Sequence, residues 1–406
     1  MRLLQPLRRR DFALLFAGST ISLIGDGVYT VALAFQVYAL DNSPGALSLV
    51  LLAYSAGLVV CALVAGVVVD RVDRRAVIVV ADALQLVAIL AMGLLSVAGT
   101  LEVWHCALLA VFVGAGTAFV KPAATALLPH VVPKDEIVAA TSLEQSAQQA
   151  SYALLGPALG GVLVGAAGPG TALVIDAATF AASIGAVSLL RTSARPPARE
   201  EPGDVIREIR EGITYVRGRQ WLWGTLLAAC IAVMCIEGPV EIALPYVIKN
   251  DWGSGASTYG ALLAVAGFAG IGASLVFGAR GLPRRPVTAM MVLWVIGMLS
   301  IAGFGLVDGL AAAIPFALLL GIGSAGDTIW FALLQTRVPG ELLGRVSSLD
   351  WMLSFALLPV SYALAGPLAA ALGARELLAL AALAGTAVAI GLFIALPGLR
   401  DRSADA

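Results

Sequence analysis

The sequence predicts an all-α integral membrane protein, with twelve transmembrane helices in two pseudo-symmetric six-helix bundles. Three observations carry that expectation. Hydrophobic residues make up 60% of the chain and charged residues 13%, against roughly 25% charged in a soluble domain. Twelve apolar runs reach the length of about 20 residues that a helix needs to cross a bilayer. One distinctive stretch also occurs twice. Gly25 to Phe35 reads Gly-Asp-Gly-Val-Tyr-Thr-Val-Ala-Leu-Ala-Phe, and Ile236 to Tyr246 reads Ile-Glu-Gly-Pro-Val-Glu-Ile-Ala-Leu-Pro-Tyr. Aligned, Asp26 falls on Glu237, Gly27 on Gly238, Ala32-Leu33 on Ala243-Leu244, and Phe35 on Tyr246. An ionisable group inside an apolar span costs about 3 kcal/mol or more and is rare without a function. Two acids at matching places therefore point to a shared role.

Span 1 covers 12–40, after a basic segment from Met1 to Arg10. Ala32-Leu33-Ala34 resembles a signal-peptidase site. The run from Phe12 is nevertheless too long for a signal h-region and carries Asp26, and its twin near Ala243 is intact, so the segment is expected to stay. Spans 2 to 6 are 46–69, 75–98, 101–125, 137–166 and 170–190. Spans 7 to 12 are 220–248, 257–279, 287–306, 310–334, 343–370 and 376–397. Short turns such as Asn42-Ser43-Pro44-Gly45, Gly168-Pro169-Gly170 and Gly253-Ser254-Gly255 separate neighbouring spans.

Orientation follows from the basic residues. With the N-terminus inside, the inner segments hold twenty-two of the twenty-five, while the outer loops hold only Lys249 and Arg375, and Lys121 lies within a span. That asymmetry places both termini in the cytoplasm of a bacterial plasma-membrane protein. The polar break at 191–219 divides the chain into 1–190, a linker, and 220–406. Residues 191–203 are rich in Pro, Arg and Glu. After Gly203, Ile206, Ile209, Ile213 and Val216 recur at helical spacing opposite Arg207, Glu208, Arg210 and Glu211, as in a helix lying at the membrane surface. It serves either as a tether or as a regulatory element.

The repeat continues beyond spans 1 and 7. Gly114-Ala-Gly matches Gly321-Ile-Gly, and Leu128 to Pro133 matches Leu334 to Pro339. Ser142-Leu143-Glu144 matches Ser348-Leu349-Asp350, and Tyr152 to Pro157 matches Tyr362 to Pro367. The last two matches differ in offset by about four residues, one helical turn, so span 11 should carry an extra turn relative to span 5. Six spans per half give the copies the same orientation, as in parallel-repeat transporters.

The loop Gly66-Val-Val-Val-Asp70-Arg71-Val-Asp73-Arg74-Arg75 resembles the signature of the major facilitator superfamily between helices 2 and 3. Gly156-Pro157-Ala-Leu-Gly160-Gly161 resembles the end of that superfamily's antiporter motif, although Leu143 and Tyr152 replace its upstream glycines. Ser22-Leu-Ile-Gly-Asp26-Gly and Glu211-Gly-Ile-Thr-Tyr-Val are similar to the branch of enterobactin exporters and macrolide efflux pumps. Ala110 stands where many drug antiporters have a helix 4 arginine, and Leu282 stands where the first half's loop has an acid.

The resemblance implies that spans 1, 4, 7 and 10 line a central cavity, and the sequence puts a charge in each of them: Asp26, Lys121, Glu237 and Asp327. Thr30 and Glu241 lie one turn beyond Asp26 and Glu237. A carboxylate in low dielectric favours its neutral form, so such a group can load and release a proton. Asp26, Glu237, Asp327 and Glu144 are the candidate proton carriers; the alternative for each is a structural hydrogen bond. Asp82, Asp176 and Asp350 also lie in spans, on helices expected to pack or to line the cavity laterally. Lys121 either faces the cavity or snorkels to the interface. Tyr29, Tyr246, Trp330 and Phe331 are candidate contacts for a lipophilic substrate. The resemblance also implies that Asp70, Arg71, Arg74 and Arg75 latch the two halves at the cytoplasmic face. Gly66 would permit close helix approach there.

No nucleophile motif, phosphate-binding loop, metal cluster or nucleic-acid patch is visible, so neither an enzyme nor an ATP-driven pump is expected, and no cofactor. Cys61, Cys106, Cys230 and Cys235 all sit in apolar runs, without metal-ligand spacing. The expected protein is a monomeric secondary transporter whose partners are a small molecule, protons and the lipid bilayer. A proton-driven exporter is the leading reading. Proton-independent uptake or facilitation, and a non-transporting scaffold or sensor, are the alternatives.

Overall fold

The computed structural model describes residues 4–192 and 205–400. Residues 193–204, which include most of the Pro-, Arg- and Glu-rich stretch at 191–203, lie outside the described residues, as do 1–3 and 401–406. Among the described residues, twelve helices are long and apolar enough to cross a membrane. Spans 1 to 6 are Arg10–Leu40, Pro44–Val69, Arg74–Val97, Val103–Val131, Lys134–Ala167 and Pro169–Ser188. Spans 7 to 12 are Gln220–Asn250, Ala256–Arg280, Pro286–Leu306, Leu310–Arg337, Leu342–Leu372 and Ala374–Ala395. A further helix, Val205–Arg217, stands where the amphipathic pattern predicted one.

The turns show why the spans begin and end there. Ser43 accepts a hydrogen bond from the Ala46 amide at 3.2 Å and precedes Pro44, a residue suited to the first helical turn. Asp73 caps span 3 through the Arg75 amide at 3.0 Å. Gly168 (φ +81°) links spans 5 and 6, and Gly373 (φ +104°) links spans 11 and 12, so the repeat uses a left-handed glycine at the same place in each half.

The described chain forms two compact units. One is 1–198 with 248–264, and the other is 199–247 with 265–406. The end of span 7 and the start of span 8 thus belong to the first unit. The Asn42 and Asn250 side-chain amides bond one another there at 2.5 Å, Lys249 donates to the Tyr38 carbonyl, and the Phe35 and Tyr259 rings lie 6.2 Å apart. Many leucines and valines, such as Leu63, Val80 and Val87, are exposed on the spans, as in a protein solvated by lipid.

Inside each unit the repeated glycines do the same work. A Cβ on Gly114 would strike the Tyr54 carbonyl of span 2, and one on Gly116 would lie 2.9 Å from the Ala81 carbonyl of span 3. In the second unit a Cβ on Gly321 would strike the Ala266 carbonyl of span 8, and one on Gly323 would lie 2.8 Å from the Leu293 carbonyl of span 9. The twin stretches repeat a second crossing. A Cβ on Gly27 would lie 2.7 Å from the Gly156 Cα of span 5, and one on Gly238 would lie 2.7 Å from the Ser361 carbonyl of span 11. Without hydrophobic drive between helices in lipid, such close backbone contact is what holds them. Gly27→Ala and Gly238→Ala should each cost about 1–3 kcal/mol by overpacking. Thermal unfolding in detergent measures this, and an unchanged midpoint would remove the crossing from the account of stability.

Spans 5, 7 and 11 depart from a regular helix. Span 5 contains a π-helical segment, Gln149–Leu155, and span 7 contains another, Pro239–Ala243. Span 11 breaks instead at Leu357, between Gly340–Ala356 and Leu358–Leu372. π-bulges frequently mark functional sites. Periodicity alone did not predict them.

Candidate functional site

In the first unit the central acids lie between spans 1, 3 and 6. Asp26 is half-buried on span 1, one residue after Gly25. A Cβ on Gly25 would collide with the Asp176 carboxyl and the Thr179 hydroxyl of span 6, so glycine there sets the distance between the helices. Asp26 is within electrostatic reach of both Asp82 and Asp176. Asp82 and Asp176 are 1% and 0% exposed. The Ser183 hydroxyl donates to Asp82 Oδ2 at 2.6 Å, and the Thr179 hydroxyl lies 3.3 Å from Asp176 Oδ1. Tyr29 is buried, and the Thr30 hydroxyl bonds back to the Asp26 carbonyl at 3.1 Å, tying it to its own helix. The antiporter-like motif lies alongside. Gly156 and Gly160 face Gly27 and Val28 of span 1, while Pro157 and Gly161 meet Ala256, Ser257 and Gly260 at the start of span 8.

In the second unit Glu237 is within electrostatic reach of Glu241 and Asp327. The Tyr362 hydroxyl donates to Glu241 Oε2 at 2.7 Å, and the Trp294 indole N–H donates to Asp327 Oδ1 at 2.9 Å. Ser361 enters the span 7 ladder itself. Its hydroxyl accepts from the Gly238 N–H at 2.9 Å and donates to the Met234 carbonyl at 2.7 Å, bridging one helical rung just before the π segment. Pro239 has no N–H to continue that ladder. The bulge that sets the angle between Glu237 and Glu241 therefore depends on a span 11 hydroxyl.

The predicted substrate contacts separate. Trp330 is 4% exposed, with its N–H on Asp350 Oδ2 at 3.2 Å and its ring edge-on to Trp221. In this structure Trp330 packs against Trp221 and bonds Asp350. Phe331 beside it is 46% exposed, Lys121 is exposed, and Tyr246 and Glu144 are half-buried.

In the loop signature, the Arg75 guanidinium donates to the Ser188 carbonyl at the end of span 6 at 3.0 Å. Arg74 Nη1 lies 3.1 Å from His130 Nε2 at the end of span 4. These cations sit where helix C-termini leave carbonyls and partial negative charge. At Gly66 an added Cβ meets nothing within 4 Å among the described residues, so the close approach expected there is made instead at Gly57 and Gly114. The reading of the sequence missed a second basic–acidic cluster. Glu136 is buried, and its Oε1 accepts from Arg9 Nη2 at 3.1 Å and Gln5 Nε2 at 3.3 Å. Its only sequence signal is the pair of carboxylates, Asp135 and Glu136, after the Pro133 turn, which spacing cannot pair with residue 9. The surface helix is docked too: Glu211 pairs with Arg345, and the Tyr215 hydroxyl reaches the Arg337 carbonyl at 3.3 Å.

Comparison with known proteins agrees with this architecture. The Major Facilitator Superfamily matches residues 15–358. A multidrug efflux pump, Tap, from Mycobacterium tuberculosis is 30% identical over 400 residues, covering 96% of this chain and 94% of that one. Macrolide efflux protein A of Streptococcus pyogenes is 24% identical, covering 90% and 91% of the two chains. Among solved structures, the nucleoside transporter NupG superposes with a TM-score of 0.76 at 10% identity, over 95% of this chain and 99% of that one, which speaks to fold alone. With twelve apolar helices, a repeated half and a family match across most of its length, the chain belongs to the Major Facilitator Superfamily, as a multi-pass membrane transporter.

Proposed function

We propose that this transporter is a proton-coupled exporter of a lipophilic or amphiphilic small molecule, a drug, siderophore or metabolite, working by alternating access. One observation carries the reading. Each unit encloses a set of acids around the repeated position, Asp26 with Asp82 and Asp176, and Glu237 with Glu241 and Asp327. Like charges held together in low dielectric cannot all ionise, so protons must come and go with the surroundings. Asp327 and Glu144 are the further candidates for carrying them. The efflux relatives favour export and point to a macrolide as the first probe. Proteoliposomes with an acid lumen should accumulate the macrolide as protons leave, and the same vesicles without a pH difference should not. Equal uptake under both conditions would favour a proton-independent facilitator.

The protein sits in the plasma membrane with both termini and the 191–219 segment cytoplasmic. A cysteine at Ser193, with the four native cysteines replaced, should resist an impermeant thiol reagent in intact cells and react after permeabilisation. Labelling from outside would overturn that orientation. The loop signature from Gly66 to Arg75 latches the cytoplasmic side through Asp70 and Arg71, while Arg74 and Arg75 brace the ends of spans 4 and 6.

A further inference from the structure

The surface helix Val205–Arg217 has no task in the export reading. It is fixed in place within the second unit. Val216 is buried, and a Cβ on Gly212 would lie 3.3 Å from both the Arg345 Cβ and the Leu349 Cδ1 of span 11. The Tyr215 hydroxyl donates to the Arg337 carbonyl at 3.3 Å, at the end of span 10. Between this helix and the start of span 11 lies a cleft of about 460 Å³, lined by Arg210, Glu211, Thr214, Tyr215 and Leu342. That is room for one small ligand. Spans 7 and 11 begin and span 10 ends on this side of the membrane, so the cleft lies at the depth of the lipid headgroups.

Its chemistry is that of an anion site. Arg345 pairs with Glu211 and so offsets the acid on the wall. The Arg219 guanidinium stacks on the Tyr215 ring, 3.6 Å from its centroid, and Arg337 lies 5.4 Å from the Trp221 centroid. A stacked guanidinium keeps its in-plane N–H fork for an oxyanion. Neither the Arg210 nor the Arg219 side chain has a hydrogen-bond or ion-pair partner among the described residues. Tyr215 and Leu342 supply an apolar wall beside these cations, which a lipid uses and a free phosphate does not. We propose that the cleft binds the phosphodiester headgroup of an anionic phospholipid, held by Arg210 and Arg219, with its acyl chains leaving past Tyr215 and Leu342 into the bilayer. At headgroup depth phospholipid outnumbers any soluble phosphate, and basic clefts among helix ends suit such headgroups. The lipid bridges the surface helix and the start of span 7, fastening the end of the linker to the second unit. The leaflet is the inner one when both termini are cytoplasmic. The site does not depend on the direction or the coupling of transport.

The test is native mass spectrometry of the purified full-length protein in detergent, titrated with phosphatidylglycerol or with phosphatidylcholine. The wild type should hold one phosphatidylglycerol about tenfold more tightly than phosphatidylcholine. Arg210→Gln and Arg219→Gln should each weaken that binding about fivefold. Arg8→Gln removes an exposed charge from the first unit and should leave it unchanged. If Arg219→Gln does not fold, Arg210→Gln decides, because the Arg210 side chain bonds no described group. Glycerol phosphate, which lacks acyl chains, should not displace the lipid at equal concentration. Equal binding of the two lipids, an equal loss in Arg8→Gln, or unchanged affinity in Arg210→Gln and Arg219→Gln overturns the site. Displacement by glycerol phosphate overturns the lipid and makes a soluble phosphate the ligand.

Discussion

Replacing Asp26 by Asn and Glu237 by Gln together should abolish uphill export while sparing substrate binding and downhill exchange. The amides keep the size and most hydrogen bonding of the acids but cannot titrate. One proton moving through about 100 mV supplies about 2.3 kcal/mol, enough to sustain a substrate gradient of roughly 50-fold. The double variant should instead let the gradient collapse to unity. The single variants should differ, with Asp26→Asn severe and Glu237→Gln mild. Asp26 lies among Asp82, Asp176 and Tyr29 in a stretch similar to the exporter branch. Glu237 shares its unit with Glu241, whose Tyr362 bond keeps a second carboxyl in place. Transport in proteoliposomes with an imposed pH difference measures all three. Full gradient-driven activity in the double variant would move the coupling to Asp327 and Glu144.

Ser361→Ala should be nearly as damaging without touching a charge. The hydroxyl serves both the Gly238 N–H and the Met234 carbonyl. Removing it leaves two buried backbone groups unserved, at about 1–3 kcal/mol, unless the two join directly as in an α-helix. That rejoining would dissolve the bulge at Pro239–Ala243 and turn Glu241 away from Tyr362. Either outcome lowers transport: the first with a reduced unfolding midpoint, the second with stability kept. Ser361→Thr retains the hydroxyl and should restore activity. Wild-type transport and stability in Ser361→Ala would show that the bridge is incidental.

The spans, the repeat and the family were legible because lipid solvation and pseudo-symmetry write themselves into hydropathy and into paired motifs. Asp26 and Glu237 stood out for the same reason, as charges in apolar runs at matching positions. The partners of those charges were not legible. Ser183 on Asp82, Trp294 on Asp327 and Tyr362 on Glu241 join residues 101, 33 and 121 positions apart, and spacing along one helix says nothing about such pairs. The bond from Trp330 to Asp350 was not legible either, because an aromatic at membrane level looks the same whether it faces a cavity or bonds a carboxylate. The π segment of span 7 escaped because it forms at Pro239 beside the Ser361 bridge, features that periodicity does not carry. The offset of about four residues between the span 5 and span 11 motifs was visible as an insertion. Its structural expression, a break at Leu357 in one half against a π segment in the other, was not.

The most direct measurement is proton movement itself. A pH-sensitive dye trapped inside proteoliposomes, with no gradient imposed at the start, reports whether a macrolide entering the lumen drives protons out. Coupled antiport predicts that the lumen turns alkaline in step with macrolide uptake, and that Asp26→Asn abolishes the proton signal. Macrolide uptake at an unchanged lumenal pH in the wild-type protein would contradict it.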